Sequence, residues 1–327
     1  MTWSGKSVLV TGAGGFIGSH LAERLTAEGA RVRALVHYNA LGSAGWLGGS
    51  DMRGDMEVLF GDVTDSDFMR GAVRGCDAVF HLAALIGIPY SYHAPRSYVR
   101  TNVEGTLNLL EAARDGGVGR LVHTSTSEVY GSALSVPIAE DHPLQGQSPY
   151  SASKIGADKM AEAYHRAFAL PVVTLRPFNT FGPRQSARAV IPTIITQALA
   201  GAVVRLGNLA PTRDFTFVAD TVDGLVRAGS VPGIEGRTIH LGTGREISIG
   251  DLVGLVGAAL GRDLAVEGEA GRARPADSEV DRLLSDNALA RELLGWAPAT
   301  SLEQGIALTA AWIRDNAGRY RAGTYAV

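Results

Sequence analysis

The amino-acid sequence reads as an α/β protein built on a doubly wound parallel sheet. Three observations carry that reading. Short apolar strands alternate with helical patterns through the first half of the 327 residues. A glycine-rich turn at residues 12–18 separates the first strand from the first helix. Three stretches that carry chemistry, namely this turn, Leu82-Ala83-Ala84 and residues 125–128, all fall at strand ends, the edge where open α/β sheets bind their ligands.

The elements follow in order. Residues 7–11 are apolar at the centre and bounded by turn signals, the pattern of a strand buried on both faces. Residues 19–28 form an amphipathic helix, with Gly29 as its stop. Further strands are expected at 31–36, 57–60, 78–82, 120–125 and 172–176, with helices between them that include 102–114 and 149–169. Ser148 and Pro149 suit the N-cap and first position of the latter helix. The second half is less regular: Pro192, Pro211 and Pro232 interrupt it, and residues 262–282 carry several arginines. Residues 1–176 are therefore expected to make the main domain, and 177–327 a smaller, discontinuous substrate lobe with returns to the first. Residues 301–315 read as an amphipathic packing helix.

In the glycine turn, Gly12 permits the tight bend, Gly15 lets a pyrophosphate approach the backbone, and Gly18 lets helix pack on strand. The helix N-terminus beyond it offers N–H groups to phosphate, so Phe16 and Ile17 join the expected cofactor site. After the second strand stands His37-Tyr38-Asn39, with neither a carboxylate for the ribose hydroxyls nor an adjoining arginine for a 2′-phosphate. Asn39 is the candidate ribose partner; NAD is favoured and NADP stays open. Asp62, beside Val63 after the third strand, either meets the adenine side of the cofactor or caps the next helix.

Tyr150 and Lys154 lie four residues apart and share one helix face. An ammonium beside a phenol favours the phenolate, so this pair is expected to work as a general base with the Tyr150 pKa drawn down. Thr126-Ser127-Glu128 closes the strand just before it.

Composition narrows the function classes. A net charge of −3 gives no reason to expect nucleic acid. Cys76 is the single cysteine, which excludes an intrachain disulfide and suits a reducing cytosol. The first strand starts at once, leaving no room for a signal peptide, and no apolar run reaches membrane-spanning length. No clustered His, Cys, Asp or Glu has metal spacing, so no metal is expected.

Over essentially its whole length the chain resembles an extended short-chain dehydrogenase/reductase of the nucleotide-sugar epimerase/dehydratase group. The matching residues are Thr11 to Gly18, His81-Leu82-Ala83-Ala84, Asn102 to Thr106, residues 125–131, Tyr150 with Lys154, Arg176-Pro177 through Asn179 to Gly182-Pro183, and Arg213-Asp214-Phe215. The resemblance implies a Rossmann domain, a bound nicotinamide cofactor and a sugar linked to a nucleoside diphosphate. It also implies a homodimer formed by the helix after Asn102 and the Tyr150 helix. A relative that kept the fold only as a regulator or scaffold is expected to have lost Tyr150, Lys154 or Glu128, and all three are present.

Members of the group differ in the chemistry after the first hydride transfer. A tyrosine takes the proton of a sugar hydroxyl, usually O4, and the 4-ketone that results acidifies the C5 hydrogen. A 4-epimerase only turns this ketone over, whereas a 4,6-dehydratase needs a carboxylate for the C5 proton. Glu128 fits that base, with Thr126 sharing the O4 proton and Ser127 relaying one to the departing oxygen. Dehydratases of dTDP-glucose carry Asp where this chain has Ser127. Those resembling GDP-mannose and soluble UDP-N-acetylglucosamine dehydratases carry Thr-Ser-Glu, and UDP-glucuronate decarboxylases share Ser-Glu-Val-Tyr-Gly. Residues 32–39, 87–92, 182–192 and 278–282 look like the soluble UDP-N-acetylglucosamine 4,6-dehydratases. Dehydratase is the first expectation, C4 epimerase the second and decarboxylase the third.

For the substrate, Arg213 and Arg274 are the expected diphosphate partners, since guanidinium forks match phosphate geometry. Asn179 is placed to hold a phosphate or sugar oxygen. Arg184 and Arg188 either meet the substrate or are solvated loop charges; Ile191 and Leu206 either sandwich the base or pack in the core; Tyr90 and Tyr92 line the sugar pocket or are core aromatics.

Overall fold

A computed structural model describes residues 2–269, 271 and 275–320. Strands β1 (Ser7–Thr11), β2 (Arg31–His37), β3 (Met56–Gly61), β4 (Ala78–His81), β5 (Arg120–Thr124) and β6 (Val172–Pro177) join the strand Thr238–Leu241 in one seven-stranded sheet. Its order is Thr238–Leu241, β6, β5, β4, β1, β2, β3, and every pairing is parallel. The order reverses between β1 and β4, so the ligand crevice of a doubly wound sheet opens at their carboxyl ends.

Both faces of the sheet are covered, as the alternation of β1 shows. Val8 and Val10 pack toward helix α1 (Phe16–Ala27) and the helix Val218–Ser230. Leu9 packs toward the helices Ser66–Val73, Gly105–Asp115 and Pro149–Phe168. Burying each such side chain contributes about 1.5–3 kcal/mol, so the site edge stands on a rigid base. The Val218–Ser230 helix and the Thr238–Leu241 strand are the returns of the second half to the main sheet. Its other strands form small sheets: Asn179–Phe181 with Phe215–Phe217, Val203–Leu206 with Ala265–Gly268, and Thr212–Arg213 between Ile247–Ser248 and Arg282–Leu283.

Three local expectations change. The helix expected at 102–114 is present but starts earlier, as a π-helical turn Val99–Glu104 that runs into the α-helix Gly105–Asp115, with the short helices Ile88–His93 and Pro95–Tyr98 before it. That wide turn carries Asn102 inward, where it is 1% exposed. The cap of the Ser66–Val73 helix is Asp65, which accepts from the Asp67 and Phe68 N–H groups, while Asp62 accepts from Thr64 N at 2.9 Å and closes the turn before it. The helix Leu302–Asp315 does more than cover the core. Its Trp312 meets Trp46 edge-on at 5.1 Å, and Trp46 N donates to Gly14 O at 3.0 Å inside the glycine turn. Tyr320 adds a hydrogen bond to Gln185 O at 3.0 Å.

Among the described residues no helix is long and apolar enough to cross a membrane, and no group of His, Cys, Asp or Glu could hold a metal ion.

Candidate active site

The glycine turn is built for close backbone approach. Gly12 sits at φ +70°, and a Cβ there would lie 2.9 Å from Ala83 N. A Cβ on Gly18 would lie 2.2 Å from Gly12 O, so no side chain fits. Gly15 is the N-cap of α1 in extended conformation, and no side chain caps the helix or brings acid to its first turn. Its leading N–H groups are therefore available to an anion. Phe16 and Ile17 are partly buried against the core beneath.

A line of neutral hydrogen bonds joins this turn to the helix that carries Tyr150 and Lys154. Thr11 Oγ1 accepts from Leu82 N and Ala83 N, both at 3.1 Å, and contacts His81 Nδ1 at 2.9 Å. His81 Nε2 reaches Thr106 Oγ1 at 3.0 Å, and Thr106 donates to Asn102 O at 2.6 Å. Asn102 then holds Leu85 by both N–H and C=O and donates to Ser153 Oγ at 2.9 Å. Ser153 donates to Tyr150 O at 2.7 Å. Complete burial pushes the His81 pKa well down, aided by His123 and Lys154, so it stays neutral in this line. The segment Leu82-Ala83-Ala84 is thus fixed from both ends.

The sequence pair Tyr150 and Lys154 comes together with residues 126–128 at the end of β5. Ser148 caps the Pro149–Phe168 helix in a capping box with Ser151. Thr126 caps the turn Ser127–Tyr130, accepting from Glu128 N at 3.2 Å, and hydrogen-bonds the Tyr150 hydroxyl. Ser127 is buried and Glu128 half-buried, with the Glu128 charge felt at Tyr150. Lys154 Nζ donates to Thr124 O at 2.8 Å. The expected fall in the Tyr150 pKa is not what this arrangement gives. Burial of the phenol pushes it up, and the Thr126 hydrogen bond offsets only part of that. Burial also draws Lys154 down to about 8, against the pull of Asp158.

Behind this pair lies a second, charged network that motif reading passed over. Asp158 accepts from His123 Nε2 at 3.0 Å, from Ser125 Oγ at 2.8 Å, and from Arg176 Nε and Nη2 at 3.2 and 2.9 Å. Arg176 Nη1 continues to the Tyr130 hydroxyl at 2.6 Å, which meets His240 Nε2 at 2.5 Å. Burial would raise the Asp158 pKa, but His123, Arg176 and Lys154 hold it down at about 2. The signal was present in the sequence: Asp158 follows Lys154 by one helical turn.

On the outer cofactor side, Asn39 Oδ1 accepts from Ser43 N at 2.9 Å and its amide donates to Ser43 O at 2.9 Å, so the carboxamide closes its own loop. Asp62 faces His37 at 3.5 Å beside half-exposed surface, and Val63 packs under Gly105. Arg33 is held by Glu57 and by the Ala72 and Arg74 carbonyls.

The substrate candidates divide. The Asn179 Oδ1 atom, at the start of the Asn179–Phe181 strand, is buried without a hydrogen-bond partner. Arg213 is buried and lies 3.6 Å from Glu279. Arg184 is bound to Ser19 and, through two nitrogens, to Glu23 on α1, which ties its loop to the cofactor helix. Arg188 is exposed and its Nη1 comes near Gly87. Ile191 and Leu206 are core residues at 1% and 4% exposure. Tyr90 and Tyr92 are not core aromatics: both are exposed, and Tyr92 reaches Ser278 Oγ at 2.5 Å across the cleft. Arg274 lies outside the described residues.

The cradle that a Cβ at Gly12 or Gly18 would fill, with the uncapped α1 terminus beside it, fits a dinucleotide pyrophosphate. Joined to the Tyr150–Lys154 face on one sheet edge, it defines a short-chain dehydrogenase/reductase in its extended form. The chain belongs to the GDP-mannose 4,6-dehydratase family, which matches residues 9–309, and so to the nucleotide-sugar epimerases and dehydratases. It is 38% identical to a UDP-glucose 4-epimerase of Mycolicibacterium smegmatis over 94% of this chain and 98% of that one. It is 37% identical to a dTDP-glucose 4,6-dehydratase of Streptomyces antibioticus over 95% and 93% of the two chains. Among solved structures, DesIV, a dTDP-glucose 4,6-dehydratase of Streptomyces venezuelae crystallised with NAD, superposes with a TM-score of 0.87 at 34% identity, covering 96% and 99%.

Proposed function

We propose that this protein is an NAD-dependent 4,6-dehydratase of a nucleoside-diphosphate hexose, with UDP-N-acetylglucosamine as the substrate to test first. Glu128 carries the reading: a half-buried carboxylate two residues after Thr126, in the turn that Thr126 caps, and close enough for its charge to act on the Tyr150 phenol. Simple C4 inversion has no use for a carboxylate there; removal of a C5 proton does. NAD in the solved relative supports the same cofactor here, as does an Arg33 already engaged by Glu57 and so not placed for a 2′-phosphate. The stretches at 32–39, 87–92 and 182–192 support the choice of sugar.

When bound, NAD supplies reversible acceptance of a hydride from C4, and its positive ring offsets the burial that keeps Tyr150 protonated. Tyr150 takes the O4 proton, and Thr126 shares it through their hydrogen bond. Glu128 takes the C5 proton and returns it to the C6 oxygen, which leaves as water, with Ser127 beside that path. Glu128, left as a carboxylate, takes a fresh proton from solvent and would deliver it to C5 as C6 is reduced, while Tyr150 gives up the O4 proton in turn. Asn179 and Arg213, together with Arg274, are proposed to hold the diphosphate and sugar oxygens. The outer faces of the helices Gly105–Asp115 and Pro149–Phe168 are proposed to form a homodimer, which light scattering tests at twice the chain mass.

A second reading, C4 epimerisation, is favoured by Ser127 standing where dTDP-glucose dehydratases carry Asp, and by the epimerase relative. Proton NMR in D2O with NAD separates the two, using UDP-N-acetylglucosamine, UDP-glucuronate and GDP-mannose in parallel. A new C6 methyl signal with deuterium at C5 is the expected result. A change of configuration at C4 with C5 still protonated would end the dehydratase reading and leave Glu128 without a catalytic role.

A further inference from the structure

We propose that Asp158 is a positioning residue: it sets a fixed carboxylate one helical turn beyond Lys154 and pins the strand end that carries the Thr126–Glu128 turn. The inference rests on the reading of Lys154 as half of the catalytic pair. Asp158 is 5% exposed and lies one turn beyond Lys154 on the same helix face. Its two oxygens accept four donors from two strands, so it fixes Ser125, the residue immediately before Thr126, as well as His123.

The surroundings leave the support of the Lys154 charge to Asp158. Toward Lys154, β4 presents His81 and β5 presents His123 and the Thr124 carbonyl; Arg176 on β6, with Tyr130, lies against Asp158, and the Glu128 charge acts on Tyr150. His81 and His123 are held neutral by burial, and Arg176 is a like charge. Burial penalises the ammonium, and Asp158 is the charge that favours it. Arg176, itself fixed by Tyr130, keeps Asp158 ionised and immobile.

The sequence provides a direct probe, because Lys6, Lys154 and Lys159 are its three lysines. Lys6 pairs with Asp77 and Lys159 with Glu162 at the surface. Carbon NMR of protein labelled at the lysine ε-carbon therefore follows Lys154 without any sugar reaction. In the unaltered protein Lys154 is expected to titrate near 8. Asp158→Asn should lower that midpoint by roughly 1–3 units, leave the other two lysines unmoved, and shift the alkaline limb of turnover downward by the same amount. Asp158→Glu should restore most of it.

A buried arginine left unpaired is strongly destabilising, so the double variant Asp158→Asn/Arg176→Met removes the pair together and should shift Lys154 in the same direction. A folded variant that loses turnover while its Lys154 midpoint stays put would make Asp158 a packing residue and overturn the proposal. The dehydratase reading fails separately, through the absence of a C6 methyl product in the unaltered protein, and that result leaves the lysine titration intact as a test.

Discussion

Two hydrogen-bond networks grip the sheet edge that carries Tyr150 and Lys154 from opposite sides, and they differ in charge. The cofactor side is a neutral line through Thr11, His81, Thr106, Asn102 and Ser153, ending on the backbone of Tyr150. The rear of the Pro149–Phe168 helix is an ionic cluster of Asp158 and Arg176, linked through Tyr130 to His240. The first settles where the backbone of residues 82–85 runs. The second settles which groups carry protons. Shape and protonation at one site are thus assigned to different residues, and each should be open to change without the other.

The largest effect is expected where the two networks meet. Tyr150→Phe should lower kcat by about 10²–10⁴-fold, the usual worth of a general acid–base group, while NAD affinity measured by calorimetry stays the same. Retained turnover would remove Tyr150 from the chemistry and with it the meeting point. Next comes a break on the neutral side. Asn102→Leu strips the partners from Leu85 N–H and C=O, at about 1–3 kcal/mol per buried group left unpaired. Tm and NAD affinity should fall, and the Lys154 titration should not move; if it does, the two networks are not separable.

The smallest effect is a gradual one with pH. His240 is drawn from 6.5 down to about 3 by burial, and His123 is lowered for the same reason. Asp158 stands at about 2 instead of 3.8. Each group has its folded value below its unfolded one, so the unfolded chain binds more protons across the interval. Their contribution is complete above about pH 6.5, declines first through the histidines, and declines again from about pH 4, where Asp158 of the unfolded chain takes its proton, down to about 2, where the folded one does. The buried His81 of the neutral line adds to the first decline. Denaturant midpoints that stay level between pH 7 and 4 would contradict these assignments.

The features open to sequence reading were those a residue type produces alone or with a close neighbour. Gly12 and Gly18 were legible because a tight turn at φ +70° and a 2.2 Å approach exclude any side chain. Tyr150 and Lys154 were legible because helical spacing puts i and i+4 together. Arg184 was not, since its partner Glu23 lies 161 residues away on another element, and a loop arginine looks the same whether it meets phosphate or carboxylate. The π-turn at Asn102 was also hidden, because its residues have an ordinary helical pattern and the wide turn is set by what Asn102 bonds across the cleft. The Tyr150 pKa went the other way for a similar reason: spacing reveals a neighbouring charge but not the depth of burial that outweighs it.

The contact of Trp312 with Trp46, and of Trp46 with Gly14, bears on how the molecule comes into being. The phosphate turn leaves the ribosome long before the aromatic prop behind it, which is supplied only after residue 312 has been made. A nascent chain holding a complete Gly12–Gly18 turn therefore still lacks its support. Such long-range closure slows folding and prolongs the exposure of unfinished surface. Cofactor capture should accordingly be a late event in the life of the chain, a signal that synthesis has passed the Leu302–Asp315 helix.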